Sequence, residues 1–214
     1  MTPTEDQKEH RPVIYIISSP SGAGKSTLCR RLLDELSGLC FAVSHTTRKP
    51  RRGEVNGRDY HFVTDGVFRE MISSSQFLEW AEVHGNLYGT AESEIERAGK
   101  SSKDLLCDVD YQGAMEIKKR YSRSVAVFIL PPSVSELRRR LEGRGTDSAE
   151  TRLLRFRNAK KELEHFDQFD FLVVNDDLEK AAQCLKSIVI SGKCDNTAGS
   201  GDAERLLREF ENSE

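Results

Sequence analysis

The sequence predicts an α/β fold with a five-stranded parallel sheet flanked by helices, and two observations support this prediction. Five short, nearly continuous apolar runs recur along the chain, as expected of strands buried on both faces of a parallel sheet. They cover residues 13–18, 41–43, 105–109, 125–130 and 169–174. Helical patterns separate these runs, and strands that alternate with helices are typical of a parallel sheet.

The first strand leads into a glycine-rich turn. Residues 19–26 read S-P-S-G-A-G-K-S, which matches the phosphate-loop template G-x-x-x-x-G-K-[ST] except that Ser19 replaces the first glycine. Backbone N–H groups of such a turn form a hollow for an anion, and the next helix adds its N-terminus. Lys25 would bring a positive charge to the β- and γ-phosphates, and Ser26 a hydroxyl group to Mg²⁺. The turn therefore predicts a nucleoside triphosphate site, with Ser21, Gly22, Ala23, Gly24, Lys25, Ser26 and Thr27 as its binding residues.

The helices follow from their own patterns. Residues 27–36 place four leucines on one helical face and most of their charges on the other. A second helix follows the strand at 125–130, because Ser133 and Glu136 form a capping box and Gly143 marks the end. Residues 142–165 are strongly charged with few apolar anchors, a pattern that fits a solvated face or a mobile lid equally well.

Two other segments differ from the core. Residues 44–94 are far longer than a strand connection requires, which indicates an inserted lobe. The core is then built from residues 12–43, 95–141 and 166–191. Residues 1–11 are expected to be a flexible extension, and 192–214 a flexible tail whose final part has the pattern of a short helix.

The inserted lobe carries a cluster of cations. Five of them lie within eleven residues, on a stretch whose prolines and glycines exclude a regular helix: Arg48, Lys49, Arg51, Arg52 and Arg58. A solvated basic loop is one interpretation. Arginine forks also suit bidentate phosphate binding, and Tyr60 offers a further hydroxyl donor, so we favour a second phosphate site.

Two acids, Asp108 and Asp110, lie at the carboxyl end of the third predicted strand. In an open α/β sheet this end faces the ligand crevice. Two neighbouring acids there are costly unless cations or hydrogen-bond donors meet them. The pair therefore indicates a metal or nucleotide role rather than a packing role.

Composition excludes several classes of protein. A chain of 214 residues suffices for one substantial core, and its net charge of −3 gives no sign of bulk nucleic-acid or membrane binding. The first residues lack the apolar region of a secretory signal. The five cysteines show no C-x-x-C spacing, which argues against a disulfide framework or a zinc site. We expect a cytoplasmic protein without membrane or nucleic-acid partners, acting as a monomer or small homo-oligomer.

Six stretches, in order, resemble guanylate kinase, the nucleoside monophosphate kinase family that phosphorylates GMP. They are SPSGAGKST, SHTTRKPRRGEVNGRDYHFV, FLEWAEVHGNLYGT, LLCDVDYQG, PPSVSELRRRLEGRGT and VVNDDLEKA. The resemblance spans residues 12–190 approximately. It implies a P-loop kinase fold with a GMP-binding lobe at 44–94 and a lid at 142–165. It also implies transfer of the γ-phosphoryl group from ATP to GMP, and to dGMP, giving ADP and GDP in purine metabolism, with Mg²⁺ bound as MgATP.

The resemblance further implies a role for individual residues. The GMP phosphate would be held by Arg48, Arg51, Tyr60 and Tyr88, and the guanine by Ser44, Glu79 and Thr90. Guanine offers N1–H and N2–H₂ as adjacent donors and O6 as an acceptor, so a carboxylate and hydroxyl groups suit it. Asp110 would approach the guanosine, and Asp108, with Ser26, would order the water shell of Mg²⁺, although the division between the two acids is open.

The same resemblance assigns the ATP side. Arg144 would lie against the adenine and the ATP phosphates, Asn175 would contact the adenine edge, and Arg155 would reach the transferring phosphoryl group. Arg152 and Arg157 remain alternatives to Arg155. The catalytic set is then Lys25, Arg48, Arg144 and Arg155.

Two other functions are compatible with part of this pattern. A non-catalytic module that binds phosphorylated peptides is disfavoured, because Lys25, Ser26 and the lid arginines are present. A kinase for another monophosphate is disfavoured by Ser44, Glu79 and Thr90.

Overall fold

A computed structural model describes residues 10–83, 85–143, 149–192 and 196–211 of the protein. Its strands are β1 (Ile14–Ser18), β2 (Leu39–Phe41), β3 (His45–Thr46), β4 (His61–Phe62), β5 (Phe77–Val83), β6 (Asn86–Ala91), β7 (Asp104–Asp108), β8 (Ser124–Leu130) and β9 (Phe171–Val174). Its helices are α1 (Lys25–Glu35), α2 (Asp65–Ser73), α3 (Ser93–Lys100), α4 (Tyr111–Arg120), α5 (Val134–Glu142), α6 (Ala149–Leu163), α7 (Leu178–Gly192) and α8 (Asn196–Glu211).

The central sheet has five parallel strands in the order β2-β7-β1-β8-β9, so the predicted fold class is confirmed. Strand β1 is buried along its whole length. Tyr15 and Ile17 pack with α1 and α7 on one face, while Ile14 and Ile16 pack with α4 on the other. This burial on both faces explains the continuous apolar run in the sequence. Strand β2 pairs with β7 from Leu39 onward, two residues earlier than predicted.

The helix starts agree with their sequence signals. Helix α1 begins at Lys25, and its N-cap Gly24 has φ of 97°. Helix α5 begins after Ser133, whose Oγ accepts the backbone N–H of Glu136 at 3.1 Å. The capping position predicted from sequence is therefore correct.

Residues 45–91 contain a second sheet of four strands, in the order β4-β3-β6-β5. Phe68 of α2 packs on one of its faces with Phe77 and Ala91. His45 of β3 stacks on His61 of β4, with ring centroids 4.6 Å apart. The Nδ1 atom of His45 is buried without a hydrogen-bond partner.

The last helices differ in how they pack. On α6, Phe156 and Ala159 pack against Leu137 and Leu141 of α5. Helix α8 lies in the segment that we expected to be a flexible tail ending in a short helix, and it begins earlier than that pattern predicted, at Asn196. The glycines, serine and asparagine in its first half have low helix propensity, so the sequence pattern indicates only the later part of this helix. Within the described ranges, no helix has both the length and the apolar character needed to cross a bilayer.

Candidate active site

The phosphate loop joins β1 to α1 as the template predicts. At Gly24 a side chain is excluded twice, because φ is +97° and a Cβ atom would lie 2.3 Å from Nδ2 of Asn175. Among the described non-glycine residues, Ser75 and Ser102 are those with positive φ. Ser19, the departure from the template, therefore has an ordinary φ, and its side chain causes no backbone strain.

Lys25 is held by the carboxyl end of β7. Its Nζ atom lies 2.5 Å from Oδ1 of Asp108 and donates to the carbonyl oxygen of Val109 at 3.0 Å. Burial is the largest single influence and lowers the pKa of the Lys25 ammonium, but the neighbouring groups, chiefly the Asp108 carboxylate, together outweigh it and the pKa is raised. Lys25 is therefore fully charged at neutral pH, and its charge is balanced by Asp108.

Side chains from α5, from α6 and from the end of β9 bind the backbone of the phosphate loop. The carbonyl oxygen of Ala23 accepts Nδ2 of the buried Asn175 at 2.7 Å and Nη1 of Arg140 at 3.2 Å. The backbone N–H of Ser21 donates to Oε2 of Glu162, on α6, at 3.2 Å. A carboxylate of the protein thus occupies a donor that the motif assigns to a phosphate oxygen.

A pocket of about 180 Å³ lies beside the loop, between the two sheets. It brings together seven of the residues predicted from sequence. They are Lys25, Ser44, Tyr60, Glu79, Tyr88, Asp108 and Asp110. Lys25 and the two aspartates come from the side of the central sheet. Glu79 and Tyr88 lie on strands of the second sheet, and Ser44 and Tyr60 immediately precede its strands β3 and β4.

Glu79 is the buried acid of this pocket, with 6% of its surface exposed. Its Oε1 atom accepts both the backbone N–H of Thr90 at 2.9 Å and the Thr90 hydroxyl at 2.7 Å. Burial raises its pKa to about 7, even though the Thr90 hydrogen bonds act in the opposite direction. Gly113 makes room for this carboxylate, because a Cβ atom there would lie 2.6 Å from Oε2.

Neighbouring hydroxyl and carboxyl groups complete the pocket. Oγ of Ser44 lies 3.1 Å from Oγ1 of Thr90. Asp110 caps α4 by accepting the backbone N–H of Gly113 at 2.9 Å. Tyr88 meets the Tyr60 ring edge-on, with centroids 6.0 Å apart.

The two predicted phosphate arginines lie next to this pocket and share one acid. Arg48 forms a two-pronged pair with Glu54, with distances of 3.0 Å from Nη1 and 2.9 Å from Nη2. Its guanidinium also lies 5.4 Å from the centre of the Tyr60 ring. The backbone N–H of Arg51 donates to Glu54 at 2.6 Å, and the Arg51 side chain is exposed. Glu54 thus fixes Arg48 beside an exposed second cation.

The lid arginines are placed by α6. Arg155 and Arg152 are half-buried, and Arg157 is exposed. Arg144 lies outside the described residues. Ser26 and Thr27 are exposed in the first turn of α1, where an incoming ligand can reach their hydroxyl groups.

Sequence reasoning missed several residues that shape the site: Glu54, Gly113, Arg120, Arg140 and Glu162. Glu54 left one detectable signal, since it is the only acid between Arg48 and Arg58. The others contact the site across long sequence separations, which a local pattern does not reveal.

The arrangement combines donors for an anion, a second cation site, and a buried acceptor between them.

Comparison with known proteins agrees with this arrangement. The sequence model of the guanylate kinase family matches residues 10–191. The chain is 47% identical over 182 residues to a guanylate kinase of Geobacter metallireducens, covering 85% of this chain and 90% of that protein. It is 45% identical over 195 residues to a guanylate kinase of Syntrophotalea carbinolica, covering 91% and 93%. It also resembles the crystal structure of guanylate kinase from Anaplasma phagocytophilum, with a TM-score of 0.78, 32% identity, and 94% and 96% of the chains covered.

Proposed function

Because the chain belongs to the guanylate kinase family and is an ATP:GMP phosphotransferase, we propose how its own residues divide the reaction among them. One observation carries this proposal. Lys25, from the phosphate loop, and Glu79, the buried acceptor, line the same pocket of about 180 Å³. A donor of phosphoryl groups and a guanine base can therefore be held on opposite sides of one small space.

On the ATP side, the loop residues 21–27 bind the phosphates through backbone N–H groups, and Lys25 binds the β- and γ-phosphates. Arg155 is the lid arginine that reaches the transferring group. It precedes Glu162 by seven residues, or two helical turns, so the two share a face of α6 about 10 Å apart. Since Glu162 contacts the loop at Ser21, that face is directed toward the phosphates. Arg157 lies on the opposite side of the helix from Arg155, and Arg152, one turn before Arg155, is farther along the axis from the Ser21 contact.

Two further residues are assigned to ATP. We assign Arg144 to the adenine and the phosphates, and Asn175 to the adenine edge. Support for Asn175 is that its buried side chain contacts the loop at Ala23 and is therefore fixed close to the nucleotide.

On the GMP side, the Glu79 carboxylate accepts the guanine N1–H and N2–H₂ donors, and the Ser44 hydroxyl donates to O6. Thr90, whose hydroxyl donates to Glu79, holds the carboxylate beside the base. Arg48 and Arg51 bind the GMP phosphate with the hydroxyl groups of Tyr60 and Tyr88, and Asp110 approaches the guanosine. Recognition through base and phosphate extends to dGMP, which carries both. The Arg48 fork is then shared between the GMP phosphate and Glu54.

The donor set near the loop suits Mg²⁺. This ion binds proteins through one or two carboxylates and keeps the substrate phosphates and waters as its other ligands. The Ser26 hydroxyl and the Asp108 carboxylate, the latter through water, would hold it. Bound with ATP, it would neutralise charge on the phosphates.

Phosphoryl transfer needs no protein base, because an oxygen of the GMP phosphate is already an anionic nucleophile. That oxygen forms a bond to the γ-phosphorus as the bond to the β–γ bridging oxygen breaks, giving GDP and ADP. Lys25, Arg48, Arg144 and Arg155 stabilise the charge on the transferring group. Closure of the lid and lobe around both substrates keeps water, the competing nucleophile, out of the site.

A coupled assay of ADP release tests the proposal. ATP is supplied with GMP, dGMP, AMP, UMP or CMP in turn. We expect turnover with GMP and dGMP and little with the others, because adenine, for example, directs its acceptor N1 toward Glu79. Equal rates across the five acceptors, or no rate with GMP, would contradict it.

A further inference from the structure

Strand β5 contains a bulge at the residue before Glu79. Phe77 is opposite Ala91 on β6, and Glu79 is opposite Thr90, so two steps along β5 correspond to one step along β6. Leu78 is therefore the extra residue of the bulged strand. It is fully buried, and it packs into the core between the central sheet and α4.

The bulge decides which face of the sheet Glu79 occupies. In a regular strand, residues two apart point to the same face, so Glu79 would share a face with Phe77. Phe77 and its partner Ala91 pack with Phe68 in the apolar core of the second sheet. Glu79 instead lies with Thr90 on the opposite face, in the pocket that also contains Lys25. Without the extra residue, the carboxylate would point into an apolar core.

Arg120, the last residue of α4, binds the backbone of this bulge. Its Nη1 atom donates to the carbonyl oxygens of Phe77 and Leu78, at 2.8 Å each. Its Nη2 atom pairs with Glu92, which follows β6. One guanidinium therefore ties the two bulge residues of β5 to the end of β6. A bulge leaves backbone groups outside the regular ladder, and a charged donor satisfies them.

We infer that Arg120 is a positioning residue for guanine recognition, which holds the β5 bulge in the form that turns Glu79 into the pocket. Arg120 does not line the pocket, so it acts through the backbone rather than by contact with the base. The inference rests on the proposed role of Glu79 as the acceptor for guanine donors. Gly113 and Thr90 fix the carboxylate at its tip, and Arg120 fixes the strand at its base.

The test compares Arg120→Ala and Arg120→Lys with the wild type, and uses Lys118→Ala as a matched control. Lys118 is a cation on the same helix, but its ammonium group binds the carbonyl oxygen of Gln168 and the carboxylate of Asp170 rather than the bulge. Steady-state kinetics are measured with GMP and with IMP, whose base lacks the 2-amino donor. Thermal unfolding of each variant is recorded in parallel.

We expect Arg120→Ala to raise the KM for GMP about tenfold and to lower the preference for GMP over IMP by a similar factor, because a displaced carboxylate no longer meets both donors. The KM for ATP and kcat should change less than about twofold, since the phosphate loop is untouched. Arg120→Lys should recover part of the preference, because an ammonium still donates to a carbonyl but lacks the fork. Lys118→Ala should leave the preference unchanged.

Two results would overturn the inference. One is that Arg120→Ala lowers the melting temperature while the GMP-to-IMP preference stays at the wild-type value, which means a structural role only. The other is that Lys118→Ala changes the preference as much. Failure of the proposed function looks different, because wild-type enzyme would then show no preference for GMP over IMP at all.

Discussion

The raised pKa of Glu79 predicts that GMP binding depends on pH within the neutral range. With a pKa of about 7, half of the unliganded molecules carry a protonated carboxyl group at pH 7. A protonated carboxyl donates from one oxygen and so clashes with a guanine donor. The competent fraction is then about 0.1 at pH 6 and about 0.9 at pH 8, and the apparent Kd is the intrinsic Kd divided by that fraction. The Kd for GMP should therefore be about tenfold larger at pH 6 than at pH 8.

Titration calorimetry with GMP alone, at pH 6, 7 and 8, measures this effect. Binding should release a proton at pH 6, which appears as a heat that changes with the buffer. The phosphate of GMP also titrates near pH 6, so the variant Glu79→Gln is needed to separate the two groups. It should weaken binding at pH 8 by about 10- to 100-fold, through loss of a charge-assisted acceptor. Between pH 8 and pH 6, the affinity of Glu79→Gln for GMP should fall only by the factor that titration of the GMP phosphate causes.

Glu82→Gln is the matched control, because Glu82 is exposed on the same strand. It should behave as the wild type at each pH. If Glu79→Gln and the wild type lose the same factor of affinity between pH 8 and pH 6, Glu79 does not titrate in this range. If Glu79→Gln also binds GMP at pH 8 as tightly as the wild type does, the place of Glu79 in guanine recognition is refuted.

Four further changes have defined outcomes. Lys25→Ala should abolish phosphoryl transfer while calorimetry still detects GMP binding; loss of that binding in the folded variant would show that the two sites are misassigned. Gly113→Ala should raise the KM for GMP about tenfold with the KM for ATP unchanged, because the new methyl group displaces the Glu79 carboxylate; unchanged KM values would mean that the carboxylate adapts. Glu162→Gln should tighten ATP binding about 3- to 10-fold in calorimetry without GMP, since a neutral amide competes less well for the loop N–H; weaker or equal binding contradicts this. Burial lowers the pKa of His45 to about 4, so the unfolded chain binds a proton at His45 at a higher pH than the folded protein does. The wild type should therefore lose about 1–3 kcal/mol of its free energy of unfolding through His45 as pH falls from 6.5 to 4, and His45→Phe should not show this loss. If the free energy of unfolding of the two proteins falls by the same amount across that pH range, His45 makes no such contribution.

The parts of the structure that sequence predicted are those determined by local pattern. Strands buried on both faces produce continuous apolar runs, and the phosphate loop is a short motif whose backbone angles follow from its glycines. The helix cap at Ser133 is likewise local. These features depend on residues that are neighbours in the chain, so no long-range contact is needed to infer them.

The parts that sequence did not predict depend on contacts between distant residues, or on a bulge that changes which face of a strand the later residues occupy. Ser21 and Glu162 are 141 positions apart, and nothing in the charged pattern of α6 distinguishes Glu162 from its neighbours. Glu79 occupies the pocket only because Leu78 is an extra residue in β5, and a bulge leaves no mark in the alternation of so short a strand. Read by pattern alone, Glu79 is an exposed acid, and the family resemblance identified it instead.

Two protein carboxylates already lie on the donors of the phosphate loop, Glu162 at the Ser21 N–H and Asp108 at the Lys25 ammonium. Nucleotide binding at this loop is consequently an exchange of anions rather than the filling of a vacant positive site. The free energy gained is the difference between the incoming and the outgoing partners, so a lone phosphate or sulfate ion, with little more charge than the groups it displaces, gains little. A triphosphate that arrives with a divalent cation would gain more, because the cation would give the released Asp108 a new partner. The loop therefore favours a ligand that brings several charges at once over a single small anion.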